Sequence, residues 1–132
     1  MGGLFPELKT QLLVGGTSTE EDTRLLYDNP PQIVIGCPGR IHDMIKRKKL
    51  MTKDLKLLVI DEADELLSSG FKEQIYNIFQ FMPPKIQVAL FSATMPNELY
   101  SLTEKFMIKP TKILVKNEQL TLEGIRQYYV AL

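Results

Sequence analysis

Short apolar runs alternate with amphipathic stretches along most of this chain, and the alternation predicts strands separated by helices. Gln11 to Val14 reads as a first strand closed by Gly15-Gly16. Thr17-Ser18-Thr19-Glu20-Glu21 then opens a helix, with Ser18 and Glu21 at capping-box spacing. Asn29-Pro30-Pro31 breaks that helix, Gln32 to Gly36 reads as a second strand, and Pro38-Gly39-Arg40 turns into a helix running to about Lys48. Leu57-Leu58-Val59-Ile60 is a third strand. Phe71, Ile75, Ile78, Phe79 and Met82 recur at helical spacing until Pro83-Pro84 stops them. Gln87 to Phe91 is the fourth strand, Asn97 is expected to cap a helix through Phe106, and a further strand is expected near Lys112 to Val115. Polar residues fill 116–124, and Ile125 to Leu132 reads as a last strand. Strands alternating with helices in this way imply an α/β fold: a parallel sheet, right-handed crossovers and helices on both faces.

The third strand ends abruptly in Asp61, Glu62 and Asp64. Its branched apolar run fits a strand covered on both faces, and in such sheets a ligand sits beyond the carboxyl ends of the strands. Carboxylates gathered there repel one another unless a cation or a donor relieves them, so the pattern asks for a metal. Mg²⁺ bridging nucleotide phosphates is the natural candidate.

Composition narrows the picture. A length of 132 residues suits one modest domain, and 44% hydrophobic with 24% charged residues predicts a packed core. Sixteen basic residues balance sixteen acidic ones, so any nucleic-acid binding has to come from a local patch. Cys37 is the single cysteine, which excludes an internal disulfide and a thiolate zinc site. No apolar run approaches the roughly 18 residues of a membrane span, and Met1-Gly2-Gly3-Leu4 lacks an export pattern. These features predict an intracellular protein, neither exported nor embedded in a membrane.

Asp61-Glu62-Ala63-Asp64, followed about thirty residues later by Ser92-Ala93-Thr94 with each motif closing an apolar strand, resembles the DEAD-box ATP-dependent RNA helicases. Gly15-Gly16 and Pro38-Gly39-Arg40 reinforce the match. The runs Leu66 to Tyr76 and Thr121 to Gln127 are similar to the translation-initiation branch of that family. Alone, Gly15-Gly16 reads as a turn and the acids as a solvated strand end. Together the motifs are far more specific.

The resemblance implies a RecA-like, P-loop NTPase fold with ATP and Mg²⁺ as cofactors. It gives Asp61 the role of holding Mg²⁺ and Glu62 that of orienting or deprotonating the attacking water. It has Asp64 accept hydrogen bonds from the hydroxyls of Ser92 and Thr94, linking the nucleotide site to the RNA groove. RNA contact falls to Gly15, Gly16, Gly39 and Arg40. Glycine lets backbone N–H groups approach phosphate, the helix after Gly39 opens its positive end, and Arg40 can grip phosphate bidentately, so the binding is expected to be independent of base sequence. An initiation-factor-type scaffold protein is a further expected partner. Two positions depart from the family pattern: Cys37 replaces a threonine hydroxyl that could bond phosphate, and Ser69 replaces an arginine.

The chain contains no Gly-x-x-x-x-Gly-Lys-Ser/Thr sequence, the loop that cradles phosphates. The resemblance therefore implies residues 1–116 as a partial RecA-like domain lacking its phosphate-loop unit, 117–124 as a linker and 125–132 as the start of a second helicase domain. An isolated chain of this kind is expected to be inactive, marginally stable and bare on some apolar sheet faces. A catalytically inactive remnant binding RNA or a protein partner is the alternative, and a DNA-acting RecA-like ATPase ranks behind both.

Overall fold

A computed structural model describes residues 7–114. The elements follow the order β1 (Thr10–Leu13), α1 (Thr19–Asp28), β2 (Ile33–Gly36), α2 (Pro38–Lys46), β3 (Leu57–Ile60), α3 (Ala63–Ser68), α4 (Lys72–Gln80), β4 (Gln87–Leu90) and α5 (Asn97–Phe106). Each expected strand within that span is present except the one near Lys112, where the described residues are irregular. The linker and the strand expected at 125–132 lie outside the described residues.

All strand pairing is parallel, as the alternation of elements predicts. Among the described residues it forms two pairs rather than one continuous sheet. β1 lies beside β2 with Thr10 opposite Ile33 and Leu13 opposite Gly36. β3 lies beside β4 with Leu57 opposite Gln87 and Ile60 opposite Leu90. Each pair buries one face and leaves the other open. Leu13, Leu58 and Ile60 point into packed clusters, whereas Leu12, Ile33, Ile35, Leu57, Val59 and Phe91 are exposed. The two-faced burial expected of an apolar parallel strand is thus half realised within the described residues, and the apolar residues on the open faces are those expected to be bare.

Two clusters form the core. Leu13, Leu26 and Met44 join β1, α1 and α2. Ile60, Ala63, Leu67, Ile75, Phe79, Leu99 and Leu102 join β3 with α3, α4 and α5. Phe106 stacks on Phe79 with ring centroids 4.2 Å apart and meets Tyr76 edge-on. α2 packs on α4, which brings the two halves together. Phe81, just past the end of α4, is exposed and tilts against His42.

Helix starts show where local chemistry is satisfied. Ser18 caps α1, its hydroxyl accepting from the Glu21 N–H at 3.3 Å, as the capping-box spacing predicts. Asn97 does not cap α5: Pro96 holds that position in extended backbone and Asn97 is the first helical residue. Cys37 occupies the N-cap of α2, also extended, and its thiol makes no capping bond. A hydroxyl there would reach the first-turn N–H groups. Cys37→Ser is therefore expected to stabilise the chain by about 1 kcal/mol, raising Tm by roughly 4 °C in calorimetry; an unchanged Tm would show that α2 gains nothing from a cap.

Candidate functional site

The acids collect where β3 passes into α3. Ile60 and Phe91 are tied at the strand ends: the Phe91 N–H donates to the Ile60 carbonyl at 2.8 Å, and the Ala63 N–H donates to the Phe91 carbonyl at 3.1 Å. Between those ties the chain has to reverse within two residues. Asp61 accepts the Glu62 N–H on Oδ1 at 2.9 Å, and Glu62 adopts a left-handed backbone, φ 50° and ψ 46°, as N-cap of α3. A non-glycine residue held in this region carries about 1 kcal/mol or more of backbone strain. Its effect is to expose both carboxylates at the strand end.

Asp64 is not at a strand end. It sits in the first turn of α3, a short helix that the sequence pattern does not predict as a separate element. Its carboxylate Oδ2 accepts the Thr94 hydroxyl at 2.6 Å and the Thr94 N–H at 2.9 Å. Ser92 takes a different part from the expected one. Its hydroxyl accepts the Asp64 N–H at 3.2 Å and donates to the Thr94 carbonyl at 2.7 Å, so it braces the clamp through backbone rather than carboxylate. The sequence gives no sign of this exchange, because a serine hydroxyl can donate or accept.

The Thr94 hydroxyl above all holds the Asp64 carboxyl at about 2, below the ordinary 3.8. A depressed carboxyl stabilises the fold above its unfolded value, and that contribution fades as pH falls from about 4 towards 2. Carboxyl ¹³C titration is expected to show Asp64 ionising near 2, and Thr94→Val is expected to move that midpoint upward. An ordinary midpoint in the unaltered chain would show the clamp to be open in solution.

Asp61 and Glu62 keep capacity for a ligand. The Glu62 carboxylate makes no hydrogen bond among the described residues, and Asp61 uses Oδ1 alone. No group of three or more His, Cys, Asp or Glu among the described residues is arranged to hold a metal. Mg²⁺ is commonly held by one or two carboxylates with water and substrate phosphates completing its shell, and Asp61 has a carboxylate oxygen of that kind.

The carboxyl ends of β1 and β2 bring the other candidates together. Gly15 and Gly16 follow β1; Gly39 and Arg40 open α2 directly after β2. Gly16 takes φ +84°, which favours glycine, whereas an added Cβ at Gly15 meets nothing and at Gly39 meets only Phe71, at an ordinary 3.9 Å. Arg40, expected to grip phosphate, is engaged within the chain. One guanidinium nitrogen donates to Asp22 Oδ2 at 2.5 Å and the other to the Thr17 carbonyl at 2.7 Å. Sequence reasoning missed Asp22. The available signal was its spacing of four from Leu26, which places it on the buried stripe of α1. Ser69, at the C-cap of α3, hydrogen-bonds Glu65 at 2.9 Å. The basic run after Ile45 closes α2, with Arg47 pairing with Asp43 at 2.8 Å.

Residues 2–102 match the family model described as DEAD/DEAH box helicase. The chain belongs to that family. This helicase-family chain is 57% identical over 128 residues to eukaryotic initiation factor 4A-1 of Arabidopsis thaliana, covering 97% of the chain and 31% of the relative. It is 53% identical over 129 residues to the ATP-dependent RNA helicase eIF4A of Neurospora crassa, covering 98% of the chain and 32% of the relative. A crystal structure of a DEAD box protein from the hyperthermophile Methanococcus jannaschii superposes with a TM-score of 0.72 at 38% identity, over 76% of this chain and 27% of that one. The chain spans about a third of the length of the curated relatives it matches. The RecA-like α/β architecture expected from the motifs is therefore borne out for a partial domain.

Proposed function

We propose that this chain is part of an ATP-dependent RNA helicase of the translation-initiation type, in which ATP hydrolysis drives local separation of RNA strands. The observation that carries the reading is the arrangement at the ends of β3 and β4: two exposed carboxylates, Asp61 and Glu62, beside an Asp64–Thr94 clamp that joins the two strand ends. Mg²⁺ bound with ATP would neutralise charge developing on the transferred phosphoryl group, with Asp61 as its protein carboxylate. Glu62 orients and accepts a proton from the attacking water. Asp64, Ser92 and Thr94 couple that edge to the surface beyond β4. Gly15, Gly16 and Gly39 present backbone to RNA phosphates, which suits binding without regard to base. An initiation-factor-type scaffold protein is a further partner in this reading. The likeness to initiation factors favours a cytoplasmic site of action in this reading. No helix among the described residues is long and apolar enough to cross a membrane.

Grafting the matched residues of this chain into the full-length Arabidopsis relative tests the proposal. The chimera is expected to hydrolyse ATP when RNA is added, while the isolated chain, which contains no phosphate-cradling sequence, stays silent. A folded chimera with no RNA-stimulated turnover would refute it.

A further inference from the structure

We infer that Asp22 is the positioning residue of the RNA-facing loop, acting through Arg40, and that Arg40 steers the loop rather than gripping phosphate. The inference rests on the RNA-binding reading above and adds a residue and a division of labour to it.

The side chains of Asp22 and Arg40 retain only 9% and 10% of their accessible surface. A buried charge pair of this kind is tolerated when its remaining hydrogen-bonding groups are also satisfied. Here the loop that follows β1 supplies part of that bonding. Asp22 Oδ2 takes Arg40 Nη1, and the Thr17 hydroxyl lies 3.3 Å from that same oxygen and 3.0 Å from the Val14 carbonyl. Arg40 Nη2 donates to the Thr17 carbonyl, and the Gln11 side-chain amide donates to the Asp22 carbonyl at 3.2 Å. The segment from Val14 to Thr17 is thus held from α1 and from α2, and Gln11 of β1 ties α1 in place.

Two consequences follow for a bound strand. The guanidinium fork, which could otherwise meet phosphate in two-point fashion, is already spent on a carboxylate and a carbonyl. The exposed backbone of Gly15 and Gly16, with Gly16 in left-handed conformation, is fixed beside the first turn of α2. Phosphate is then met by backbone N–H groups whose placement Asp22 controls from beneath.

Salt dependence separates positioning from contact, because each phosphate neutralised on a single strand adds about 0.7 to the slope of log K against log salt. Binding of a ten-nucleotide oligouridine RNA to the 132-residue chain is to be followed across salt concentrations, alongside amide hydrogen exchange of residues 15–18. Asp22→Asn is expected to weaken binding about tenfold with an unchanged slope and to speed exchange in the loop. Arg40→Lys retains both charges but cannot bridge Asp22 and Thr17; it is expected to weaken binding similarly, and it serves if Asp22→Asn does not fold. Tighter binding with a steeper slope in Asp22→Asn, or full binding by Arg40→Lys, would overturn the inference by showing Arg40 to be a phosphate ligand. No binding by the unaltered chain, with its loop amides protected, would overturn the RNA reading and this inference with it.

Discussion

Glu62→Gln in the helicase chimera is expected to lower the RNA-stimulated turnover number by about 10²–10⁴-fold while leaving KM for ATP within about twofold. Glutamine keeps the size of the side chain and can still accept a hydrogen bond from water. It cannot take the proton, and that is the contribution removed. The local fold should hold, because the Glu62 carboxylate makes no hydrogen bond among the described residues and its backbone ties survive the change: its carbonyl accepts the Leu66 N–H at 2.9 Å, and its N–H donates to Asp61. Glu62→Gly makes a useful companion. Glycine accommodates the left-handed backbone without a Cβ clash, so relief of about 1 kcal/mol there offsets part of its greater unfolded freedom. Turnover should still collapse. Loss of rate in both variants, with thermal stability kept in Glu62→Gln, would tie the effect to the carboxylate; undiminished turnover in Glu62→Gln would remove Glu62 from the reaction.

Gly36→Ala is expected to destabilise the chain by about 3 kcal/mol, enough to part β1 from β2. Gly36 faces Leu13 across the parallel pair, and a Cβ built on it would lie 2.1 Å from the Leu13 carbonyl oxygen and 2.9 Å from its carbon. Those are backbone atoms and cannot swing away as a flexible side chain would. The same carbonyl accepts the Cys37 N–H at 3.0 Å, so moving it also disturbs the entry to α2. Gly15→Ala provides the contrast, since an added methyl there meets nothing within 4 Å. Urea unfolding of the two variants should differ by most of the predicted amount. Equal midpoints would mean that the strand pair can separate locally to admit a methyl group.

Much of the element order was legible in the residues. Apolar runs bounded by Gly15-Gly16, Asn29-Pro30-Pro31 and Pro83-Pro84 mark strands and helix ends because those residues restrict or free the backbone at defined points. The acids at Asp61 and Glu62 were legible for the same reason: they interrupt an apolar run at the place where parallel sheets bind ligands. Other features were not. α3 follows the acids with no breaker between, so Asp64 reads as a strand terminus until the left-handed turn at Glu62 is seen. Asp22 carries a charge, and a charged residue in the first turn of a helix ordinarily reads as a favourable dipole partner in water rather than a buried anchor. The hydroxyl traffic among Ser92, Thr94 and Asp64 depends on angles that spacing does not encode. The division into two strand pairs is likewise beyond periodicity, which predicts strands but not which edges meet.

The contact between α2 and α4 also bears on how the chain opens. β1 closes onto β2, and β3 onto β4, each within its own stretch of sequence and over its own apolar cluster. Each half is thus a candidate cooperative unit of the kind that opens and recloses on its own in the native state. α2 on α4, with Phe71 beneath Gly39, is the seam between them. Parting along that seam would uncover the α2–α4 contact while each strand pair kept its own hydrogen bonds and its own apolar cluster.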